Sequence, residues 1–303
     1  MKNIKKINFI KIDSNKEGQR IDNYLKNILK NLSKNNIYKI IRKGSVRINN
    51  KRINFFYKLK LGDLIRIKKQ QKKKNFFYLE NLEKKIIYED NHILIIKKPS
   101  GISVHGGSGI KCGIIESLRI LRNKEDFLEL VHRLDRETSG ILLIAKNRSS
   151  LLFLNNELRL KNIKKEYLAL VHGKWNKKIK IIQTYIKNKK ITLNNNKYKF
   201  SKTIFKIKEI FKFCTLIKIL PITGRTHQIR IHTSYANHPI LFDKLYGKSY
   251  LDNKFNNFKL NRLFLHANKI IFKHPFTKKI FKITSSIDND LNYFLNILRK
   301  NNK

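Results

Sequence analysis

One carboxylate, Asp135, stands between two arginines in the stretch His132-Arg-Leu-Asp-Arg-Glu-Thr-Ser-Gly140. Apolar runs flank it, Leu128 to Val131 before and Ile141 to Ala145 after. A half-buried carboxylate beside a guanidinium stays ionised well below neutral pH, because the nearby positive charge favours the charged form. Such a group can serve as a nucleophile, a general base or an ion-pair anchor. A second charged motif, Gly224-Arg-Thr-His-Gln-Ile-Arg230, carries Arg225 and Arg230. The chain has only 15 Arg against 53 Lys, so four arginines in two short motifs are informative. Arg provides planar, bidentate pairing to carboxylate or phosphate that Lys cannot.

Other chemistries lack their signatures. Five of the 12 glycines fall between Gly101 and Gly113, but the Gly-Lys-Ser/Thr ending of a P-loop is missing. That segment reads as a tight loop. His105, His132 and His227 show no metal-ligand spacing with Cys or Glu, so no zinc site is predicted. Ser139 has no Gly-x-Ser-x-Gly elbow around it and reads as a turn or cap residue. Cys112 and Cys214 are the only cysteines and lie far apart, which predicts neither a disulfide framework nor a reactive thiol pair.

The 303 residues leave room for two domains. With 68 Lys+Arg against 21 Asp+Glu the formal charge is +47, far more than solubility needs. A polyanion is the natural partner, either nucleic acid or an anionic membrane. Part of the Lys excess reflects a general enrichment in Lys, Asn and Ile, seen also in the four Ala of the whole chain. That enrichment does not account for the poverty in acids. Met1 to Lys16 is too polar for a signal peptide. No window of about 18 apolar residues exists, so no membrane span is expected. These features predict a cytoplasmic protein.

The elements that must position the two motifs follow from periodicity. Ile21, Tyr24, Leu25, Ile28 and Leu29 have helical spacing. Ser33 is the expected N-cap for a second helix with Ile37, Ile40 and Ile41, ended by Gly44. Val46 and Ile48 alternate, Asn49-Asn50 turns the chain and Ile53 follows, which predicts a hairpin; Leu64 to Ile67 predicts a last strand. The module is expected over residues 1–67, with its core at 17–67. Five of the seven residues Lys68 to Lys74 are Lys, so 68–83 reads as a solvated basic linker. The larger unit, 84–303, shows strand runs at Ile86–Tyr88, Ile93–Ile96, Ile141–Ile144, Tyr167–Val171, Phe205–Ile210, Thr215–Leu220 and Ile270–Phe272. Helical spacing occurs at Cys112–Leu121 and Leu151–Leu160. Strands dominate without regular βα alternation, which predicts an α+β fold with a mixed, mostly antiparallel sheet. The Lys-, Asn- and Ile-rich stretches 175–203 and 248–261 read as variable insert loops.

Gly18-Gln-Arg-Ile-Asp-Asn-Tyr-Leu25 and Ile37 to Asn49 resemble the S4 RNA-binding domain. The resemblance implies two short helices that present Arg20, Lys34, Lys39, Arg42 and Lys43 to an RNA backbone. Phosphate contacts of that kind give affinity and placement rather than sequence choice. The whole chain resembles the RluA-type family of pseudouridine synthases. His132-Arg-Leu-Asp135 with Thr138-Ser-Gly140 matches that family's catalytic signature. Lys98-Pro-Ser-Gly101, Val104-His-Gly-Gly-Ser-Gly109, Lys165-Glu-Tyr-Leu-Ala169, Gly224 to Arg230, His238-Pro-Ile240 and Arg262-Leu-Phe-Leu-His-Ala267 follow the same order and spacing. Each motif is weak alone; together they are specific. Within the family the likeness is greatest to members that carry an S4 module and act on large-subunit ribosomal RNA.

The resemblance implies an isomerase that breaks the N1–C1′ bond of uridine, turns the base over and joins C5 to C1′. A glycosidase needs two carboxylates, one often to activate water. An isomerase that returns the same base needs one, in a site that excludes water. Asp135 is then the catalytic carboxylate, meeting C1′, C6 or the C2′ proton. Arg230 is implied as its partner. Tyr167 is implied as the ring that stacks on uracil, its hydroxyl able to help proton transfer at C5. Arg133 is implied to fill the gap left by a flipped uridine, with Arg225 and His105 beside the RNA. No cofactor or metal is implied, and a monomer is expected because RNA supplies the large interface. The catalytic motifs do not separate ribosomal from transfer RNA. A rival reading is an RNA-binding assembly factor that keeps the fold without catalysis.

Overall fold

The computed structural model describes residues 7–29, 34–68, 81–106, 112–122, 127–187, 190–192, 198–258 and 260–301. The chain divides into two compact units, Met1–Asn75 and Phe76–Lys303.

The first unit packs two helices, α1 (Ile21–Ile28) and α2 (Lys34–Arg42), on three strands, β1 (Ile7–Lys11), β2 (Val46–Ile48) and β3 (Leu64–Lys68). The sheet order is β1-β3-β2 with both pairs antiparallel. Ile21, Leu25, Ile37 and Ile41 meet Val46, Ile48 and Ile65 in one apolar core. Asn49 and Asn50 sit at φ 48° and 64°, the left-handed pair that a two-residue turn needs. The chain after that turn does not return as a strand through Ile53, as the spacing predicted. Lys51 closes the turn by hydrogen bonds with Ile48, and β2 pairs with β3 instead. The strand β1 lies upstream of the expected core. Phe9 and Ile10 are both apolar, so no period-2 alternation marks it. Ser33 and residues 69–80 of the predicted linker lie outside the described residues. Leu82, within the predicted linker, is buried in the core of the second unit.

The second unit is built on an eleven-stranded sheet. Its strands are β4 (Ile86–Glu89), β5 (Ile93–Lys98), β6 (Glu129–Leu130), β7 (Ser139–Ala145), β8 (Lys164–His172), β9 (Ile181–Lys187), β10 (Lys190–Thr192), β11 (Lys199–Ile210), β12 (Cys214–Pro221), β13 (Leu265–Lys273) and β14 (Ile280–Thr284). The order is β10-β9-β11-β12-β8-β13-β7-β5-β4, with β14 on β13 and β6 on β7. Only β13 and β7 run parallel among the described strands, so the predicted mixed, mostly antiparallel sheet is what forms. Helices α3 (Ile114–Leu121), α4 (Arg148–Arg159), α5 (Gln228–Tyr235), α6 (Ser249–Asp252) and α7 (Asn289–Lys300) complete the unit. β5 and β7 are covered on both faces. Leu94, Ile96, Leu142 and Ile144 join the larger core with α3 and α7, and Ile93, Ile95, Ile141 and Leu143 join a smaller one with α4.

Residues 175–203 are not mainly a loop. β9, β10 and the start of β11 occupy much of that stretch. The inward face there is partly polar. Buried Thr184, Ser201 and Thr203 surround His232 of α5, with oxygens 2.9–3.0 Å from its ring nitrogens. The stretch 248–261 likewise contains α6 and a 3-10 turn that buries Phe255.

Candidate active site

Asp135 occupies the turn between β6 and β7, closed by the Thr138 amide donating to the Asp135 carbonyl at 3.1 Å. The Lys98-Pro-Ser-Gly101 segment grips this turn. Lys98 Nζ donates to the carbonyls of Pro99, Ile102 and Arg136 at 2.8, 2.7 and 3.0 Å. Ser100 Oγ donates to the Glu137 carbonyl at 2.6 Å. Burial pulls the Lys98 amine down to about 7 against the opposing charges of Glu137 and Asp135. The three carbonyls around Nζ satisfy the donors that burial would otherwise orphan. On the other side of the turn Gly140 runs at φ +110°, and a Cβ there would lie 2.3 Å from the Ala267 carbonyl oxygen. Only glycine lets β7 and β13 approach so closely.

Helix α5 brings the second motif to the same place. Its N-cap, His227, is left-handed at φ 55°. Gln228 fixes the helix start: its Oε1 accepts from Thr223 Oγ1 and the Arg225 amide, and its Nε2 donates to Lys202 and Thr203. His227 Nε2 then lies 3.8 Å from Asp135 Oδ1, and Arg230 Nη1 lies 3.7 Å from Asp135 Oδ2. These are ion-pair separations rather than hydrogen bonds.

Arg230 has a closer partner. Its Nε and Nη2 donate to the two Asp243 oxygens at 2.8 and 2.6 Å in a bidentate fork. The Asp243 side chain is fully buried, and its Oδ1 also accepts from the Leu245 and Tyr246 amides. Burial alone would raise the Asp243 pKa, but the hydrogen bonds and charge of Arg230 and the two amides hold it below the usual carboxylate range. The guanidinium also lies 5.0 Å from the centre of the Tyr246 ring, whose hydroxyl shares a 2.9 Å hydrogen bond with His227 Nδ1. Arg230 therefore stands behind Asp135 as a fixed positive charge, tethered by Asp243.

In front of Asp135 opens a cleft of about 560 Å³. Tyr167 of β8 lines it, as do Arg133, Arg225, Lys165 and His227. Asp135 is the only carboxylate among the described lining residues. Burial and then the charge of Asp135 push the Tyr167 hydroxyl well above its ordinary value, so it is a neutral phenol at neutral pH. Burial pulls the Lys165 amine below its ordinary value. The cleft is thus a cationic, partly apolar pocket around one anion.

The two arginines that flank Asp135 in sequence do not pair with it. Arg133 is exposed at the cleft, and Arg136 turns away to donate to the Gly101 carbonyl at 2.9 Å. In an irregular turn, consecutive side chains leave in different directions, so sequence adjacency does not give contact. His132 is structural: its Nε2 accepts from the Leu143 amide, and burial lowers its pKa to about 3. His105 is exposed and does not line the cleft. In the first unit Lys39, Arg42 and Lys43 are exposed, whereas Arg20 is engaged. Its guanidinium forks onto Asp22 at 3.1 and 2.9 Å and lies over Phe56. Sequence reasoning missed Asp243, Tyr246, Lys165 and the Asp135 contact of His227. The available signal for Asp243 was scarcity, an acid 13 residues from Arg230 in a chain with 21 acids.

Comparison with known proteins gives a consistent result. The profile of the RNA pseudouridylate synthase family matches residues 92–235, and that of the S4 domain matches residues 19–65. A protein of Buchnera aphidicola subsp. Schizaphis graminum named ribosomal large subunit pseudouridine synthase C is 49% identical, over 96% of this chain and 98% of its own. The Escherichia coli K12 protein of the same name is 45% identical, over 97% of both chains. Among solved structures, human RNA pseudouridylate synthase domain containing 4 superposes with a TM-score of 0.59 at 21% identity, over 74% of this chain and 97% of its own. That likeness speaks for the fold.

Proposed function

From the premise that the chain belongs to the RNA pseudouridylate synthase family, we propose that it converts uridines of large-subunit ribosomal RNA to pseudouridine, with Asp135 as the catalytic carboxylate. It is an RNA isomerase by family. The observation that carries the site assignment is the cleft itself, with one carboxylate facing a ring of cations and a buried tyrosine. The choice of RNA rests on the relatives matched end to end, which carry that substrate in their names, and on the S4 unit.

The division of labour follows from the geometry. Arg133, Arg225 and Lys165 offer positive charge to the phosphates of an extruded nucleotide. Arg133, exposed at the cleft, is placed to occupy the gap in the RNA stack. The Tyr167 ring stacks on uracil, and its neutral hydroxyl makes it a donor rather than a base. Arg230, held by Asp243, sets the field at Asp135 without neutralising it by direct hydrogen bonding. C1′, C6 and the C2′ proton are all targets a single Asp135 oxygen can meet from this cleft. The net reaction breaks N1–C1′ and forms C5–C1′, a proton leaves C5 and one is taken up at N1, and nothing is oxidised and no water added. The protein acts in the cytoplasm, as a monomer with the RNA as its large interface. No helix among the described residues is long and apolar enough to cross a membrane.

The test is Asp135→Asn, assayed on large-subunit RNA by carbodiimide adducts and primer extension, beside transfer RNA as the rival substrate. Loss of all adducts from large-subunit RNA is expected. Modification at the wild-type rate overturns the assignment of Asp135. Adducts confined to transfer RNA overturn the substrate.

A further inference from the structure

The outer face of the sheet in the first unit is built unlike an ordinary solvent face. Directly opposed residues point to the same side of a sheet. Ile10, Ile65 and Ile48 form one row across β1, β3 and β2, and they face the core. The adjacent row is Phe9, Arg66 and Arg47, on the other side. Phe9 is 56% exposed, and next to it Leu64 is 42% exposed beside Lys11. A phenylalanine, a leucine and three cations thus share this face.

Two features cost the fold stability. Arg66 and Arg47 are cross-strand neighbours of like charge, an arrangement that disfavours folding. Neither has a carboxylate within ion-pair distance among the described residues. The Nε atoms of both are shielded from solvent with no hydrogen-bond partner. A large exposed aromatic beside paired guanidiniums matches the requirement for a single-stranded polyanion, whose bases stack while its phosphates are neutralised. Arg47 Nη1 donates one 3.3 Å hydrogen bond to the Asn50 carbonyl, and Arg20 on the helical side is held more fully, by the Asp22 carboxylate and over Phe56.

We propose that the outer face of the β1-β3-β2 sheet binds a single-stranded stretch of the substrate RNA, with a base on Phe9 and adjacent phosphates on Arg66 and Arg47. The inference rests on the reading of the chain as an RNA enzyme. It adds a contact surface distinct from the helical one that carries Lys39, Arg42 and Lys43.

The experiment uses the full chain and in-vitro transcribed large-subunit RNA, with affinity measured by filter binding across a salt series. Phe9→Ala weakens binding by about tenfold, the size of one lost base stack. Arg47→Gln with Arg66→Gln flattens the slope of log K against log salt by about 1.4, the expected loss for two single-strand phosphates. The same double variant melts at or above the wild-type temperature, because a like-charge pair has been relieved. A structural pair would move melting the other way. Arg66→Lys, which keeps the charge, retains the salt slope. Unchanged affinity and slope in the Gln double variant overturn the proposal. So does a wild-type dimer in sedimentation that the double variant dissociates, since the face would then join two copies. Pseudouridine formation is measured separately at saturating RNA. Its absence in the wild type removes the proposed function while the binding result stands on its own.

Discussion

Asp243→Asn isolates the tether behind the turn that carries Asp135. Asn keeps the shape and one acceptor oxygen for the Leu245 and Tyr246 amides, but it removes the charge that Arg230 grips at 2.6 and 2.8 Å. Breaking one partner of a buried pair costs about 3–5 kcal/mol, because the other charge stays buried and uncompensated. The retained amide contacts place this substitution near about 3 kcal/mol. Freed of its fork, Arg230 has Asp135 as its nearest carboxylate, only 3.7 Å away. It then closes on Asp135 and occupies the oxygen that should meet the substrate. Displacement of a reacting group by about 1 Å costs on the order of 10²-fold in rate. The expected result is a kcat lowered by about that factor with little change in KM, read by release of tritium from C5-labelled uridine in single-turnover reactions. Denaturant unfolding reads the stability. Arg230→Met combined with Asp243→Leu recovers stability, since an apolar pair replaces an ionic one, but not activity. The pH profile has a defined sign. The folded pKa of Asp243 is lowered, so its contribution is full above the unfolded value of about 3.9 and is lost as pH falls towards the folded one. Asp243→Asn removes that acid-side loss. An Asn variant of wild-type stability and rate refutes the tether.

Two further outcomes follow from groups with shifted pKa values. Glu89 is held at about 2 by hydrogen bonds from Arg122, opposed by burial and helped by Lys146. Its contribution is present above the unfolded value of about 4.5 and lost as pH falls towards 2, and after solvent screening it amounts to about 1–2 kcal/mol. Arg122→Met flattens that part of an acid-unfolding curve. Lys165→Met removes an ammonium whose burial disfavours its charged form. It raises the melting temperature at neutral pH while lowering pseudouridine formation, and a variant that melts lower contradicts the assignment of Lys165 as a desolvated cation of the cleft.

Much of this molecule was readable from pattern, and the failures share a physical cause. The helices at Ile21–Ile28 and Arg148–Arg159 set periodic apolar side chains such as Ile21, Leu25 and Leu154 into a core, and the strand Ser139–Ala145 is buried along its whole length, so spacing was sufficient. β9 alternates as well, with Ile182, Thr184 and Ile186 inward. Its polar member serves His232, and Thr and Lys together look like loop composition. α7, which the sequence reading did not expect, buries Leu291, Phe294, Leu295 and Leu298 beneath a cover of Asn and Asp that hid it. At the site, ordered motifs pointed to Asp135, Tyr167 and Arg230, which the fold brings to one locality. The fork between Arg230 and Asp243 left no trace in periodicity, since it spans a helix and the loop beyond it, and only the scarcity of acids pointed to Asp243. Arg230 rather than a sequence neighbour was the expected partner of Asp135, and it is the arginine found beside it, because a turn scatters adjacent side chains.

The position of β13 in the sheet bears on when the enzyme becomes competent during synthesis. β7, which follows Asp135, and β8, which carries Tyr167, are neighbours only through β13, a strand made from residues 265–273. A ribosome that has translated Asp135, Tyr167 and Arg230 has therefore not yet made the strand that seats the first two beside one another. Long-range pairing of this kind is slow, because loop closure must precede its reward. The catalytic parts remain apart while the chain is being built, and a nascent chain has no assembled cleft until β13 is released and slots between the two strands.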